Sequence, residues 1–374
     1  MERLQKQLIL KDLPKKMVFL VGPRQSGKTW LAKDILKNYP NGLYLNYDNF
    51  ADRKIIKQAA WKSNTSLLVL DELHKMPGWK NYLKGIYDTK TEQLQILVTG
   101  SARLDIFHQV GDSLAGRYFI HHLLPFSPAE LKNTIYAKDS ERFLARGGFP
   151  EPFLAEDPID AARWRNQYVD SLLRTDVFEF DNIDNIKNMQ LVFELLRTKV
   201  GSPVSYKSIA EDVNIAPNTV KKYIRIFESL YFVFRITPFA KNIARSLVRE
   251  PKLYFFDVGL VRGDVGAKLE NFVALCLLKH VMAKNDYAGK ESALHYLRTK
   301  DGIEVDFALV NDGQIEQIVE VKNSDDTLHR ALLAFKKKYA FAATQLVYDL
   351  RQERVENNIE INNLMNYLLS LEVL

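Results

Sequence analysis

Unbroken apolar runs alternate with amphipathic stretches through the first third of the chain. Residues 17–21 (MVFLV) and 67–70 (LLVL) carry no polar position, and 94–98 (LQILV) carries one. Runs of this kind suit strands of a parallel sheet buried on both faces. Residues 42–47 and 118–124 read as two further strands, and three- and four-residue spacing marks helices over 30–37 and 51–61. Alternating strands and helices predict an α/β fold.

Beyond residue 157 the period becomes helical. Tyr168, Leu172, Leu173 and Val177, then Met189, Val192, Leu195 and Leu196, recur at helix spacing and suggest a lid or linker. A short helix over 205–212, a turn over 213–216 and a longer helix over 217–230 follow, with Ile209, Val220, Ile224 and Phe227 on one inner face. That pattern predicts a helix-turn-helix, and strands at 232–238 and 251–257 around a basic segment with Lys241, Arg245 and Arg249 would make it winged. The last stretch reads helix (268–282), three strands (294–298, 302–309, 314–321), helix (327–339) and strand (344–348). The expected division is a core over 1–126, a helical lid over 127–200, a winged helix over 201–258 and a C-terminal α/β domain over 259–374.

Composition narrows the class. The 374 residues, 47% hydrophobic and 26% charged, fit a soluble chain of several domains. No apolar run approaches the roughly 18 residues a membrane helix needs; residues 272–278 stop at Lys279 and His280. Residues 1–16 lack the apolar region of a secretory signal, so a cytoplasmic location away from the membrane is expected. Cys276 is the single cysteine, which excludes an internal disulfide, and the seven histidines, His121 and His122 among them, show no metal-ligand spacing. The net charge of +6 allows a polyanionic partner, DNA included, without requiring one.

The chemistry begins at Gly22-Pro23-Arg24-Gln25-Ser26-Gly27-Lys28-Thr29, a G-x-x-x-x-G-K-T loop between a strand and a helix. Its glycines let the backbone turn N–H groups inward onto phosphates, and the following helix, opening with Trp30, adds its positive end. Lys28 is expected to reach the β- and γ-phosphates of ATP, and Thr29 to ligate Mg²⁺. Asp71 and Glu72 close the 66–70 run, where open α/β sheets bind ligands: Asp71 to hold Mg²⁺ through water, Glu72 to polarise the attacking water. Ser101, after the 94–98 strand, could bond the γ-phosphate or that water. Arg117 is a candidate arginine finger, with an ordinary surface charge as the alternative.

In the C-terminal stretch, alternation in Ile303-Glu304-Val305-Asp306-Phe307 puts the acids on one face, and Val319-Glu320-Val321-Lys322 sets Glu320 beside Lys322. Adjacent strands would gather Asp306, Glu320 and Lys322, a set that can bind Mg²⁺ or Mn²⁺ and activate water, or can form ion pairs on a half-exposed strand. Lys221, Lys222 and Arg225 on the second helix of the helix-turn-helix suit phosphate contacts, and Asn218 is its one base-reading candidate.

Two resemblances add to this reading. The P-loop G-P-R-Q-S-G-K-T, the L-D-E-L-H strand end, T-G-S-A-R, S-L-A-G-R-Y and R-G-G-F-P-E at 146–151 resemble prokaryotic AAA-type ATPases that carry a C-terminal domain of unknown function. The resemblance implies a five-stranded parallel sheet in AAA+ order with a helical lid, and makes Arg117 and Arg146 candidates for arginine-finger and lid-sensor roles. The α-β-β-β-α-β order of the C-terminal stretch resembles the PD-(D/E)xK nuclease superfamily, which implies a further metal-binding carboxylate from Glu270 on the preceding helix. Two functions are then expected: ATP binding or hydrolysis controlling a nucleic-acid-directed module with nuclease chemistry, or a nucleotide-switched signalling or binding module whose nuclease-like domain is inactive. Either permits a nucleotide-dependent homo-oligomer.

Overall fold

The computed structural model describes residues 3–100, 114–177, 185–240, 250–299 and 301–373. They fall into two compact units, residues 1–124 and 125–373.

The first unit is built on five parallel strands, β1 (Met17–Val21), β2 (Gly42–Asn46), β3 (Leu67–Asp71), β4 (Gln95–Thr99) and β5 (Tyr118–His122), in the order β2-β3-β4-β1-β5. β1 and β3 are buried at every residue, as their unbroken apolar runs require. Strand alternation sorts their side chains into two cores. Phe19, Val21, Leu68 and Leu70 face Ile56, Trp79 and Leu83 from helices Phe50–Gln58 and Trp79–Thr89. Val18, Leu20, Leu67 and Val69 face Leu31, Ala32 and Ile35 of helix Lys28–Leu36 and Ile9 of helix Gln5–Asp12. Parallel pairing sets the carboxyl ends of β1, β3 and β4 at one edge, and the P-loop leaves β1 at that edge. This is the five-stranded parallel sheet expected of an AAA+ core.

The second unit opens with helices Ser140–Arg146, Pro150–Leu154, Pro158–Ser171 and Ile186–Thr198. Helices Tyr206–Val213 and Pro217–Ser229 meet at a tight turn with Asn214 at φ +57°, and Ile209, Val220, Ile224 and Phe227 are buried between them. β6 (Val233–Pro238) and β7 (Lys252–Phe255) pair antiparallel; Lys241, Arg245 and Arg249 lie outside the described residues. The long helix Val265–Ala288 is followed by β8 (Ser292–Arg298), β9 (Glu304–Asn311), β10 (Gln314–Lys322), helix Arg330–Lys338 and β11 (Ala342–Val347).

This matches the expected element order, with additions. A hairpin of β12 (Arg354–Glu356) and β13 (Ile359–Asn363) and a closing helix, Leu364–Ser370, extend the domain. β6 also pairs in parallel with β8, so one eight-stranded sheet, β12-β13-β11-β10-β9-β8-β6-β7, runs across the expected border at 258/259. No helix among the described residues is long and apolar enough to cross a membrane.

Candidate functional site

The P-loop takes a conformation that only some residues tolerate. Gly22, Gln25 and Gly27 have φ of +143°, +60° and +96°, and a Cβ on Gly22 would lie 2.4 Å from the Leu123 carbonyl oxygen. Glycine is therefore required at 22 by close approach as well as by φ. Gly27 begins helix Lys28–Leu36 without a capping side chain, leaving the first amides of that helix for a ligand. Lys28 is buried, and its Nζ donates to the carbonyls of Gly22 (2.9 Å) and Pro23 (2.6 Å). Ser26 is buried, Arg24 is half-buried, and Trp30 is 49% exposed on the first turn of the helix.

Asp71, 2% exposed, is the point on which the site converges. Its carboxylate accepts from Thr29 Oγ1 (2.8 Å), from Tyr44 Oη (2.6 Å) and from Thr99 Oγ1. Parallel pairing brings these together: β3 lies between β2, which carries Tyr44, and β4, which carries Thr99. Burial and the neighbouring Asp71 push the Tyr44 hydroxyl far up from its ordinary range, so it remains a donor. Thr29 and Asp71 thus sit as the hydroxyl and carboxylate that a P-loop Mg²⁺ site uses.

Glu72 follows in a left-handed conformation (φ +56°), fixed by its N–H bond to the Thr99 carbonyl. Its carboxylate lies 3.6 Å from both Lys75 Nζ and His74 Nε2. Burial raises its pKa, Lys75 lowers it less, and Asp71 raises it further, a balance that makes the carboxylate a better proton acceptor. Ser101 lies outside the described residues.

Arg117 pairs with Asp88 at 2.8 and 3.2 Å, and its carbonyl accepts from the N–H of Met17, the first residue of β1. It therefore stands at the foot of the sheet, the length of β1 away from the P-loop, about 17 Å for five strand residues. Arg146 donates to the carbonyls of Ala155 and Glu156 beyond helix Pro150–Leu154. Its neighbours are equally structural: Gly147 (φ +71°) abuts Asp257, and Phe149 packs at a tilt against Trp164 and Tyr168.

In the second unit β9 and β10 bring the expected trio together. Asp306 accepts from the Val321 N–H (2.9 Å), the Asp306 N–H donates to Glu320 (3.3 Å), and Lys322 Nζ donates to Glu320 (2.8 Å). A residue that sequence reasoning missed changes what this cluster is. Lys252 of β7, with a side chain 1% exposed, places Nζ 2.8 Å from Glu304, 3.2 Å from Glu270 and 3.7 Å from Asp306. Tyr254 also donates to Glu270 (2.7 Å). The expectation of a second Mg²⁺ or Mn²⁺ held by Glu270, Asp306 and Glu320 thus meets an ammonium among the carboxylates. Among the described residues no three His, Cys, Asp or Glu side chains are grouped to hold a metal ion.

Cations and protons both offset the carboxylates of the cluster. Burial would pull Lys252 down, but Glu270, Asp306 and Glu304 together hold its pKa up. Burial and then Asp306 raise Glu270 to about 7 and Glu320 to about 8. With those two protonated, Lys252, Lys322 and Arg298, the last 3.5 Å from Glu304, are the cations around Glu304 and Asp306. The folded state keeps protons that the unfolded chain releases from its ordinary carboxyl range upward, so stability falls as pH rises to about 8 and levels above it. Each pH unit costs up to about 1.4 kcal/mol per group. Urea denaturation at pH 5, 6.5 and 8 should show that decline, and Glu320→Gln should flatten it; an unchanged slope would refute the assignment.

Residues 14–132 match the model of an AAA domain, residues 137–268 a domain of unknown function (DUF8612) and residues 265–371 another (DUF4143). An uncharacterized protein of Mycobacterium tuberculosis is 25% identical over 348 residues, covering 89% of this chain and 76% of its own. One from Methanocaldococcus jannaschii is 24% identical over 376 residues, covering 89% and 81%. Among solved structures, a Walker-type ATPase of Pyrococcus abyssi has a TM-score of 0.44 at 14% identity over 70% of this chain and 94% of that one. The Orc1 protein of Aeropyrum pernix, solved in complex with DNA, has 0.34 at 13% over 73% and 93%. The AAA-domain match covers the parallel sheet and the P-loop, so the fold of residues 14–132 is that of an AAA-type P-loop domain.

Proposed function

We propose that the chain is a Mg²⁺-dependent ATPase whose nucleotide state controls a C-terminal binding module. The observation that most supports the ATP half is the convergence of Thr29, Tyr44 and Thr99 on Asp71 beside the P-loop. In this reading the loop from Gly22 to Thr29 binds the phosphates through its amides, and Lys28 exchanges two backbone carbonyls for the charged oxygens of the β- and γ-phosphates. Mg²⁺, when bound with ATP through Thr29 and Asp71, supplies charge neutralisation at the phosphates. Glu72 orients the attacking water and accepts its proton. Ser101 remains a proposed contact to the γ-phosphate.

Arg117, a strand length from its own P-loop, could serve only the nucleotide of a neighbouring copy. A nucleotide-dependent homo-oligomer belongs to this reading.

For the module at 259–374 we favour binding over cutting, because Lys252 supplies the positive charge that a catalytic metal would bring to Glu270, Glu304 and Asp306. The winged helix-turn-helix at 201–258 offers exposed Lys221 and Arg225 one turn apart, suited to nucleic-acid phosphates. Fluorescence anisotropy with labelled single- and double-stranded DNA should show binding that changes with ATP, and gels should show no cleavage in Mg²⁺ or Mn²⁺. Metal-dependent cleavage abolished by Asp306→Asn would overturn the binding-only reading.

A further inference from the structure

Arg3 carries no expected role in the sequence, yet it is one of the most buried charged side chains of the first unit, at 3% exposure. Its Nη1 donates to the Ser26 carbonyl of the P-loop (3.0 Å), and its Nη2 donates to the carbonyl of Leu124 (2.7 Å). Leu124 is where the first unit ends and the chain continues into residues 125–373. One planar guanidinium therefore holds the phosphate loop and the exit strand together.

The grip has a chemical consequence at the loop. The peptide joining Ser26 to Gly27 is trans, so its C=O and N–H point in opposite directions. Holding the Ser26 carbonyl on the outer side turns the Gly27 N–H the other way, toward the concave side of the loop where phosphate oxygens bind. The segment around Arg3 is itself anchored. Ile9 and Leu13 share a core with Leu31 and Ile35 of the P-loop helix, Lys6 pairs with Asp34 at 2.7 Å, and Asp12 lies 3.2 Å from His121 of β5. The loop and the exit strand touch again where the Leu123 N–H donates to Val21 (2.8 Å) and Gly22 packs on the Leu123 carbonyl.

We infer that Arg3 is a positioning residue that presents the Gly27 amide to the nucleotide phosphates and transmits P-loop occupancy to the exit at Leu124. The inference rests on the ATP-binding reading above. Phosphate drawing on the Gly27 amide pulls the same peptide whose carbonyl Arg3 holds, and the other arm of the guanidinium carries that pull to residue 124.

The test uses the full chain, Arg3→Met and Arg3→Lys, a fluorescent ATP analogue, and hydrogen exchange with and without a non-hydrolysable analogue. Losing a charge-assisted bond should weaken nucleotide binding about tenfold or more in Arg3→Met. The nucleotide-dependent change in exchange at amides 121–127, present in the wild type, should disappear. Arg3→Lys keeps the charge but cannot span both carbonyls; it should retain more affinity than Arg3→Met and still lose the exchange response, which a merely structural role would leave intact. Unchanged affinity in Arg3→Met, or a wild-type exchange response in either variant, would overturn the inference while leaving ATP binding standing. Failure of the wild type itself to bind the analogue would sink the ATP reading and this inference together.

Discussion

Lys28→Ala should lower ATP hydrolysis by about 100-fold or more while leaving the protein folded, because it removes the one ammonium placed to meet the transferring phosphoryl charge. The fold should survive. Lys28 bonds the Gly22 and Pro23 carbonyls of the loop, while the sheet and the apolar face of helix Lys28–Leu36 are untouched. The same variant interrogates Arg117. Alone, Arg117→Ala should also be slow, since its guanidinium can reach only a neighbouring copy's γ-phosphate. Mixed with Lys28→Ala it should regain activity, because some interfaces then pair an intact P-loop with an intact arginine. Phosphate release from the mixture reads this directly, and a mixture no faster than its parts would remove Arg117 from the mechanism.

Lys252→Met should have the largest effect on stability, about 3–5 kcal/mol at pH 8, since it removes the buried ammonium among Glu270, Glu304 and Asp306 and leaves only Glu304 with another cation, Arg298, beside it. Methionine fills most of the lysine stem's volume, so the loss reports charge more than packing. Lowering the pH toward 5.5 should shrink the loss, because protonated carboxyls no longer repel. Chemical denaturation at both values gives the comparison; an equal loss at both would mean that packing dominates. ATP hydrolysis by the surviving folded fraction should match the wild type.

The parts legible in the sequence were those encoded by neighbours along the chain. The unbroken runs at β1 and β3, the glycine and lysine spacing of the P-loop, the Glu304–Asp306 alternation and the Glu320–Lys322 alternation each lie within a few residues, so local period and chemistry suffice. Tyr44 and Thr99 were hidden because they meet Asp71 from positions 27 and 28 residues away, brought there by strand order. Arg3 meets Leu124 across 121 residues. Lys252 opens an apolar strand, and nothing local says that β7 delivers it to carboxylates on the long helix and on β9. The β12–β13 hairpin went unseen because its strands are short and polar. Its Asn357-Asn358 turn, with φ of +52° and +57°, was the available signal, since asparagine tolerates that conformation.

In the proposed function a divalent cation binds with ATP at Thr29 and Asp71, and Lys252 takes a cation's place in the C-terminal cluster. Titration with Mn²⁺ followed by electron paramagnetic resonance, with and without a non-hydrolysable ATP analogue, tests it directly. One tight Mn²⁺ per chain with nucleotide, lost in Asp71→Asn, and none without is the expected result. A tight Mn²⁺ bound without nucleotide and lost in Asp306→Asn would contradict it.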